Sequence, residues 1–427
     1  MANKWSVGLV LSLCLSMAQA ATTVDLVYSG NIDGELEPCG CSIEGDLGGI
    51  LRHATTLKAL RAEHPNLFAV SSGGMVVSMS PQDQLTGEYI LKGVAQLNYD
   101  AIGVQWTDLA YGVDYALQDA LPWVSSNWLG DEFVTQSIIE RGGQRLHVFS
   151  WLDPKESPTT TMAGDHQQLA VDTASLSAAL KEAQQSGLTV LTTTLSLDDA
   201  KTLPLQYVDI LLIQSAYEMF GEPQRWQNTL VLEPGSRGMR LGQLQLSLND
   251  AGRIAEFEHT ILSMPNDVAD EPALLPWYAE YNAKVKEAYE AKSALRKAQA
   301  SGESPYVGEQ VCKSCHGEAH KAWQDSLHSG AFAKLEAVNK AFDPSCIQCH
   351  TLGFDQPGGY IDFDTTPDLM NVQCENCHGA ARVHAESAGQ QPVAHADWQP
   401  QQMCAQCHVQ KHSPSFEYKE YWPRIRH

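Results

Sequence analysis

Cysteine and histidine are the residues of this 427-residue chain whose spacing can do chemistry. Four pentapeptides share one pattern: Cys312-Lys-Ser-Cys315-His316, Cys346-Ile-Gln-Cys349-His350, Cys374-Glu-Asn-Cys377-His378 and Cys404-Ala-Gln-Cys407-His408. Two thiols three positions apart, followed at once by an imidazole, fit a c-type haem: the sulfurs form thioethers with its vinyl groups and the histidine reaches the iron from the proximal face. Four such sites in the last 116 residues predict four covalently attached haem c groups. Paired Cys-x-x-Cys knuckles also bind zinc. Zinc has no need of histidine at that one place four times over, and the chain reads as exported, so haem is preferred.

Six further histidines follow in the same region: His320, His328, His384, His395, His412 and His427. A second imidazole makes an iron six-coordinate and suited to electron transfer, whereas a missing one leaves a position where small molecules bind. His328, twelve residues after His316, His384, six after His378, and His412, four after His408, are the distal ligands expected from spacing. His320, four after His316, is either the fourth ligand or a surface residue. His395 and His427 are expected to be solvated and Met403 to be packing.

The elements that position these groups fall into two kinds. From Thr23 to Leu262, apolar runs of strand length (Thr23–Ser29, Leu67–Ser71, Ala101–Val104, Leu146–Trp151, Leu188–Thr193 and Val208–Ile213) alternate with helical stretches such as Ile50–Glu63 and Ser175–Gln185. That rhythm predicts a layered α/β domain. Gly242–Leu248 and Arg253–Leu262 flank Asn249-Asp250-Ala251-Gly252 and predict a hairpin. Glu271–Ala300 is rich in Ala, Glu and Lys and reads as one long helix, either a spacer or the last helix of the α/β domain. Beyond it, four macrocycles in 124 residues must themselves form the core, with helices and loops around them and little strand. The expected order is a signal peptide (1–20), an α/β domain (21–264), a helical linker (265–303) and a mostly helical or irregular multihaem domain (304–427).

Lys4, an apolar run from Val7 to about Met17 and Ala18-Gln19-Ala20 have the build of a cleaved secretory signal. The run is short for a membrane span and no later segment is long enough, so no stable membrane anchor is expected. Cys14 would leave with the signal, and the haem motifs use eight of the eleven cysteines. Cys39 and Cys41 remain, in Glu37-Pro38-Cys39-Gly40-Cys41-Ser42, with Arg52 following as a nearby cation. They read either as a redox pair, a soft-metal site or a thiophilic substrate site, or as an inert structural pair. The net charge is −23, of which residues 304–427 hold 9 Lys/Arg against 14 Asp/Glu. Such acidity speaks against nucleic acid and for a basic redox partner protein.

Residues 304–427 resemble the cytochrome c-554 family of tetrahaem cytochromes. The resemblance lies in Tyr306-Val-Gly before Cys312, Trp323, Ser326-Leu-His328, Phe332, Asp343-Pro-Ser-Cys346, Gly353-Phe, Asn371-Val-Gln-Cys374 through Gly379, and His384. It implies a periplasmic electron carrier with haems in close-packed pairs, some bis-histidine and one able to be five-coordinate. Residues 22–264 look like the metallophosphoesterase domain of UshA-like periplasmic 5′-nucleotidases, through Val24–Pro38, Tyr99–Gly103, Val208–Ile213 and the closing hairpin. That family holds two metal ions for phosphate ester hydrolysis. Here its Asp-x-His-Gly stands as Asn31-Ile32-Asp33-Gly34, its Gly-Asp as Gly73-Gly74 and its Gly-Asn-His-Glu as Gly103-Val104-Gln105-Trp106. Its later histidine falls near Thr192–Thr194, and its Gly-His-x-His at Gln214-Ser215-Ala216-Tyr217. Only Asp33 of these could bind a cation. The expectation is a pseudo-phosphoesterase joined to a periplasmic multihaem oxidoreductase or electron carrier, with Cys39 and Cys41 as a redox-active pair that faces a haem of the C-terminal domain and acts on a small sulfur, selenium or nitrogen oxyanion. The alternatives are a metal-dependent nucleotidase with an appended cytochrome, and a docking module without chemistry.

Overall fold

The computed structural model describes residues 22–38, 46–157, 169–214, 220–409, 412–413 and 415–427. The segment read as a signal peptide, the Cys39/Cys41 pair and Ser215–Tyr217 lie outside the described residues.

The α/β part holds two six-stranded sheets. The first is built from β1 (Thr22–Ser29), β2 (Phe68–Ser71), β3 (Ala101–Gly103), β4 (Trp123–Val124), β11 (Arg240–Leu248) and β12 (Ile254–Ser263), in the order β12-β11-β1-β2-β3-β4. The second joins β5 (Ser137–Arg141), β6 (Gln144–Trp151), β7 (Leu188–Thr193), β8 (Ile210–Ile213), β9 (Gln224–Trp226) and β10 (Thr229–Leu232), in the order β5-β6-β7-β8-β10-β9. The runs β1 to β4 and β6-β7-β8-β10 are parallel, and the flanking strands pair antiparallel.

Parallel strands are buried on both faces, which is why they read as unbroken apolar runs. Val24, Leu26 and Tyr28 of β1 point between the sheets, where they meet Val148, Val190, Ile210 and Leu230. Val27, Ala69 and Ile102 point the other way, beneath the helices Ile50–Glu63 and Asp83–Leu97. Since side chains alternate along a strand, a one-residue slip would exchange these two sets. The hairpin forms where expected, with β11 and β12 in antiparallel register around Asn249–Gly252. Four strands were not legible as such: β4 is two residues long, β9 is polar, and β5 and β10 are short pieces between charged or polar flanks.

The long helix is Leu275–Gln299, opened by Pro272–Leu274. Its buried residues Tyr281, Val285, Tyr289 and Ser293 recur every fourth position and form one ridge. The front of the ridge packs on the α/β part: Trp277 Nε1 donates to Tyr89 O at 3.1 Å, and Tyr89 Oη donates to Glu280 at 2.8 Å. The back packs on the C-terminal part, where Tyr289 Oη and Ser293 Oγ both donate to Ile361 O and Arg296 pairs with Asp355. The helix is therefore neither a free spacer nor a last helix of one side; it serves both.

Residues 304–427 form short helices and turns, with one isolated bridge, Thr351 to Met370, as β pairing among the described residues. The apolar cluster there is small: Tyr289, Phe332, Leu335, Ile347, Leu352, Tyr360 and Leu369. All of it lies around the second cysteine motif and the long helix. No described helix is long and apolar enough to cross a membrane.

Candidate functional sites

Each cysteine motif folds as a single helical turn. In the first, His316 N and Cys315 N donate to Cys312 O at 2.9 and 3.2 Å; in the fourth, His408 N and Cys407 N do the same to Cys404 O. The second and third occupy the helices Pro344–His350 and Cys374–His378. Sulfurs of the first and third motifs, Cys312 and Cys374, lie side by side, as do those of the second and fourth, Cys349 and Cys407. Cys377 of the third motif also lies near Cys404 of the fourth, so the four motifs form one continuous group.

Three imidazole pairs bear on whether these residues fit haem. The ring of His316 is centred 6.1 Å from that of His384, His408 lies 6.1 Å from His328, and His378 lies 5.8 Å from His427. Two imidazoles bonded to one metal through facing nitrogens hold their ring centres roughly 6 Å apart, at metal–nitrogen bonds of about 2 Å. Direct stacking would bring them closer, as His395 on Trp398 at 3.8 Å shows. Burial, and then the imidazole opposite, hold His378 and His408 below the ordinary imidazole value; His328 is lowered by burial and by His350. The neutral form that results is the one that ligates. The donor set and its separations fit the group.

The geometry sorts the distal candidates differently from spacing. His328 and His384 each face a proximal histidine. His320 does not: it is buried, and its Nε2 meets the carboxylate of Glu309. His412 follows the fourth motif in a turn, its N–H on Val409 O at 3.0 Å, while the ring facing His408 is that of His328. His427, expected to be solvated, faces His378 instead. His350 donates from Nδ1 to Ala331 O at 2.6 Å, and among the described residues no ring is set opposite it as in the other three.

Glu375, inside the third motif, escaped sequence reasoning. It is buried, and its carboxylate accepts from Val307 N, Gly308 N and Ala381 N at 2.8 to 3.2 Å. It ties the entry of the first motif to the third. Its position between two haem cysteines was a signal only in retrospect.

The second candidate site lies at the carboxyl ends of the parallel strands, where α/β sheets bind their ligands. The loops after β1, β2 and β3 bring Asn31, Asp33, Gly74 and Gln105 together. Gln105 Nε2 donates to Asn31 Oδ1 at 2.8 Å and to Ser72 O at 3.0 Å, and Asn31 Nδ2 donates to Asp33 Oδ1 at 3.1 Å. Two amides thus hydrogen-bond each other and the carboxylate that metals would need. Gly74 approaches so closely that a Cβ there would meet the Asn31 carboxamide at 2.5 Å. Asp108 lies beneath, fully buried, accepting from Gly74 N, Met75 N and Gln105 N, and burial pushes its carboxyl up to about 6. Thr192 is buried beside Gly103. Among the described residues no group of three or more His, Cys, Asp or Glu could hold a metal ion, so this donor set does not fit a dinuclear centre.

The residues leading to Cys39 touch the haem-bearing part. Glu37 accepts from Tyr278 Oη and pairs with Lys340. Lys340 is buried, donates to Asn282 Oδ1 at 2.6 Å and stands over the rings of Tyr278 and Tyr281. Asp343 accepts from Ser345 N as the N-cap of the second motif's helix and from Gln82 Nε2 of the α/β part at 3.1 Å. Arg52, expected as a cation for the thiols, is buried and paired with Asp46 at 2.8 Å.

Residues 311–379 match the family described as cytochrome c554 and c-prime. Cytochrome c-554 of Nitrosomonas europaea is 36% identical over 97 residues, 19% of this chain; the chain spans 41% of that relative's length. Among solved structures, a 5′-nucleotidase precursor from Thermus thermophilus superposes with a TM-score of 0.53 at 16% identity, over 82% of this chain and 74% of its own. The sulfate thiohydrolase SoxB of the same organism gives 0.52 at 14%, over 67% and 63%. At such identities the likeness is one of fold. The C-terminal region carries a cytochrome c554 domain match over residues 311–379, and the α/β region has the fold of 5′-nucleotidase-like metallophosphoesterases.

Proposed function

We propose that this chain is a periplasmic electron carrier with four covalently bound haem c groups, built on an α/β domain that has given up metal-dependent hydrolysis. The observation that carries it is the set of three imidazole pairs spaced 5.8 to 6.1 Å apart across cysteine motifs. In this reading Cys312/Cys315, Cys346/Cys349, Cys374/Cys377 and Cys404/Cys407 anchor the haems. His316, His350, His378 and His408 are proximal ligands, with His384, His328 and His427 distal to the first, fourth and third. Haem supplies one-electron redox chemistry when bound. The protein gathers the motifs, holds His328, His378 and His408 below the ordinary imidazole value by burial, and its acidic surface meets a basic redox partner.

Cys39 and Cys41 belong to the same proposal, as a disulfide that takes two electrons, one at a time, from the haems and two protons from solvent, and as the resulting dithiol reduces a sulfur, selenium or nitrogen oxyanion while closing again to the disulfide. Its support is that the segment just before them is tied through Glu37 to Lys340, close to the second motif. The hydrolase reading has the fold in its favour and the amide-filled site against it.

The test is the intact mass and the low-temperature EPR spectrum. We expect four haems per chain, and His384→Ala, His328→Ala and His427→Ala each turning one low-spin haem high-spin, with His320→Ala turning none. Fewer haems, or no spectral change in the three variants, overturns the reading. Changing Cys39 and Cys41 to Ser should abolish oxyanion turnover and leave the haem spectra alone.

A further inference from the structure

We infer that Arg237 is a built-in cation that takes the electrostatic place of the metal ions in the α/β domain. Its support is independent of the haem reading.

Arg237 sits in the turn after β10, which parallel pairing with β8 delivers to the strand-end edge where Asn31–Glu35 lies. Its backbone N–H donates to Asp33 Oδ2 at 3.2 Å, and the next residue, Gly238, donates to Asn31 O at 2.8 Å. Its Nε lies 3.7 Å from Glu35 Oε1. Arg237 is only 2% exposed and Glu35 9%. A guanidinium taken so far out of water persists only against opposite charge. Burial lowers its affinity for its proton, and Glu35 and then Asp33 pull the other way. Both Asp33 and Arg237 hold left-handed backbones, φ 52° and 60°, which non-glycine residues adopt only where the surroundings impose them. The two loops are therefore held to each other by two backbone donations and by the charge of Arg237 against Glu35 and Asp33.

The neighbouring substitutions agree with this. Where a divalent pair would call for carboxylates and imidazoles, the chain has the amides of Asn31 and Gln105, which close on each other and need no metal. Asp33 and Glu35 keep negative charge beside them, and a fixed guanidinium balances it without exchange with solvent. Arginine suits the task because it stays charged when buried, as lysine need not.

The experiment uses the full haem-loaded chain, reduced, at about 150 mM salt, so that non-specific cation binding to its acidic surface is screened. Arg237→Met and Arg237→Lys differ from each other in charge with similar reach. The probes are calorimetric melting of the α/β transition and EPR titration with Mn²⁺. Wild type should melt alike in chelator and in Mn²⁺ and bind no Mn²⁺ at this site. R237M should melt roughly 10 °C lower, as expected when one partner of a buried ion pair is lost. Mn²⁺ should restore at least half of that loss and bind one ion more per chain than wild type; R237K should need no Mn²⁺ to keep most of the stability. Saturable Mn²⁺ binding at this site in wild type overturns the inference. So does equal melting of R237M and R237K, or an R237M deficit that Mn²⁺ leaves untouched, which would make Arg237 a packing residue.

Discussion

Single residues carry much of this architecture, and the ones that matter are those whose removal leaves buried partners stranded. Glu375→Ala would orphan the N–H groups of Val307, Gly308 and Ala381 at once. Each unsatisfied buried donor costs about 1–3 kcal/mol. We expect the variant to melt lower and to perturb the optical spectra of the first and third haems together, since the carboxylate joins those motifs. A second prediction concerns protons. His53, buried against Tyr99 at 2.7 Å, is held down at about 4 by burial and by Arg61, so its stabilising effect is full above the unfolded value of about 6.5 and fades as the pH falls through 4. Asp108, raised to about 6, does the reverse: its contribution is present below about 4 and lost as the pH rises through 6. Between pH 4 and 6 the two slopes offset. Denaturant titrations should find that the stability of wild type falls relative to that of His53→Gln as the pH is lowered from about 6.5 to 4. The cysteine motifs were legible at this scale because attachment is local chemistry in five consecutive residues. Axial pairing was legible only in part: His328 and His384 stood out, but the proximal rings they face, His408 and His316, lie far from them in the sequence, and His427 facing His378 had no local signal at all.

At the scale of elements, the helix Pro344–His350 depends on a cap it shares. Asp343 satisfies Ser345 N and receives Gln82 Nε2, so one carboxylate both starts the helix and holds it to the α/β part. Asp343→Ala should cost about 1 kcal/mol as a lost N-cap. We expect its spectroscopic signature to be confined to the second haem, read as one haem's EPR line changed with the other three kept. The long helix was predicted from composition almost to the residue. Its dual contact was not, because the ridge of Tyr281, Val285, Tyr289 and Ser293 tells that one face is covered but not by what. Strands β2, β7 and β8 showed as apolar runs since both of their faces are buried, whereas β9, exposed at an edge, had no such pattern to show.

Over the whole molecule, charge is the dominant fact. At −23, reduction by a lysine-rich cytochrome used as a probe should slow several-fold between about 10 and 500 mM salt, as stopped-flow absorbance would register. A salt-independent rate would remove electrostatic docking from the account. The connection between the two halves bears on something else, the order in which the protein matures. β1 pairs with β11, so the α/β part can close once residue 248 is present and requires no cofactor to do so. Glu37 and Gln82 are then in place as a template. Lys340 and Asp343 can answer them only when the second motif has folded, and the apolar cluster around that motif is small. We expect docking to follow haem attachment. A cell unable to ligate haem should accumulate a front half that resists protease up to about residue 300, trailed by a tail that does not.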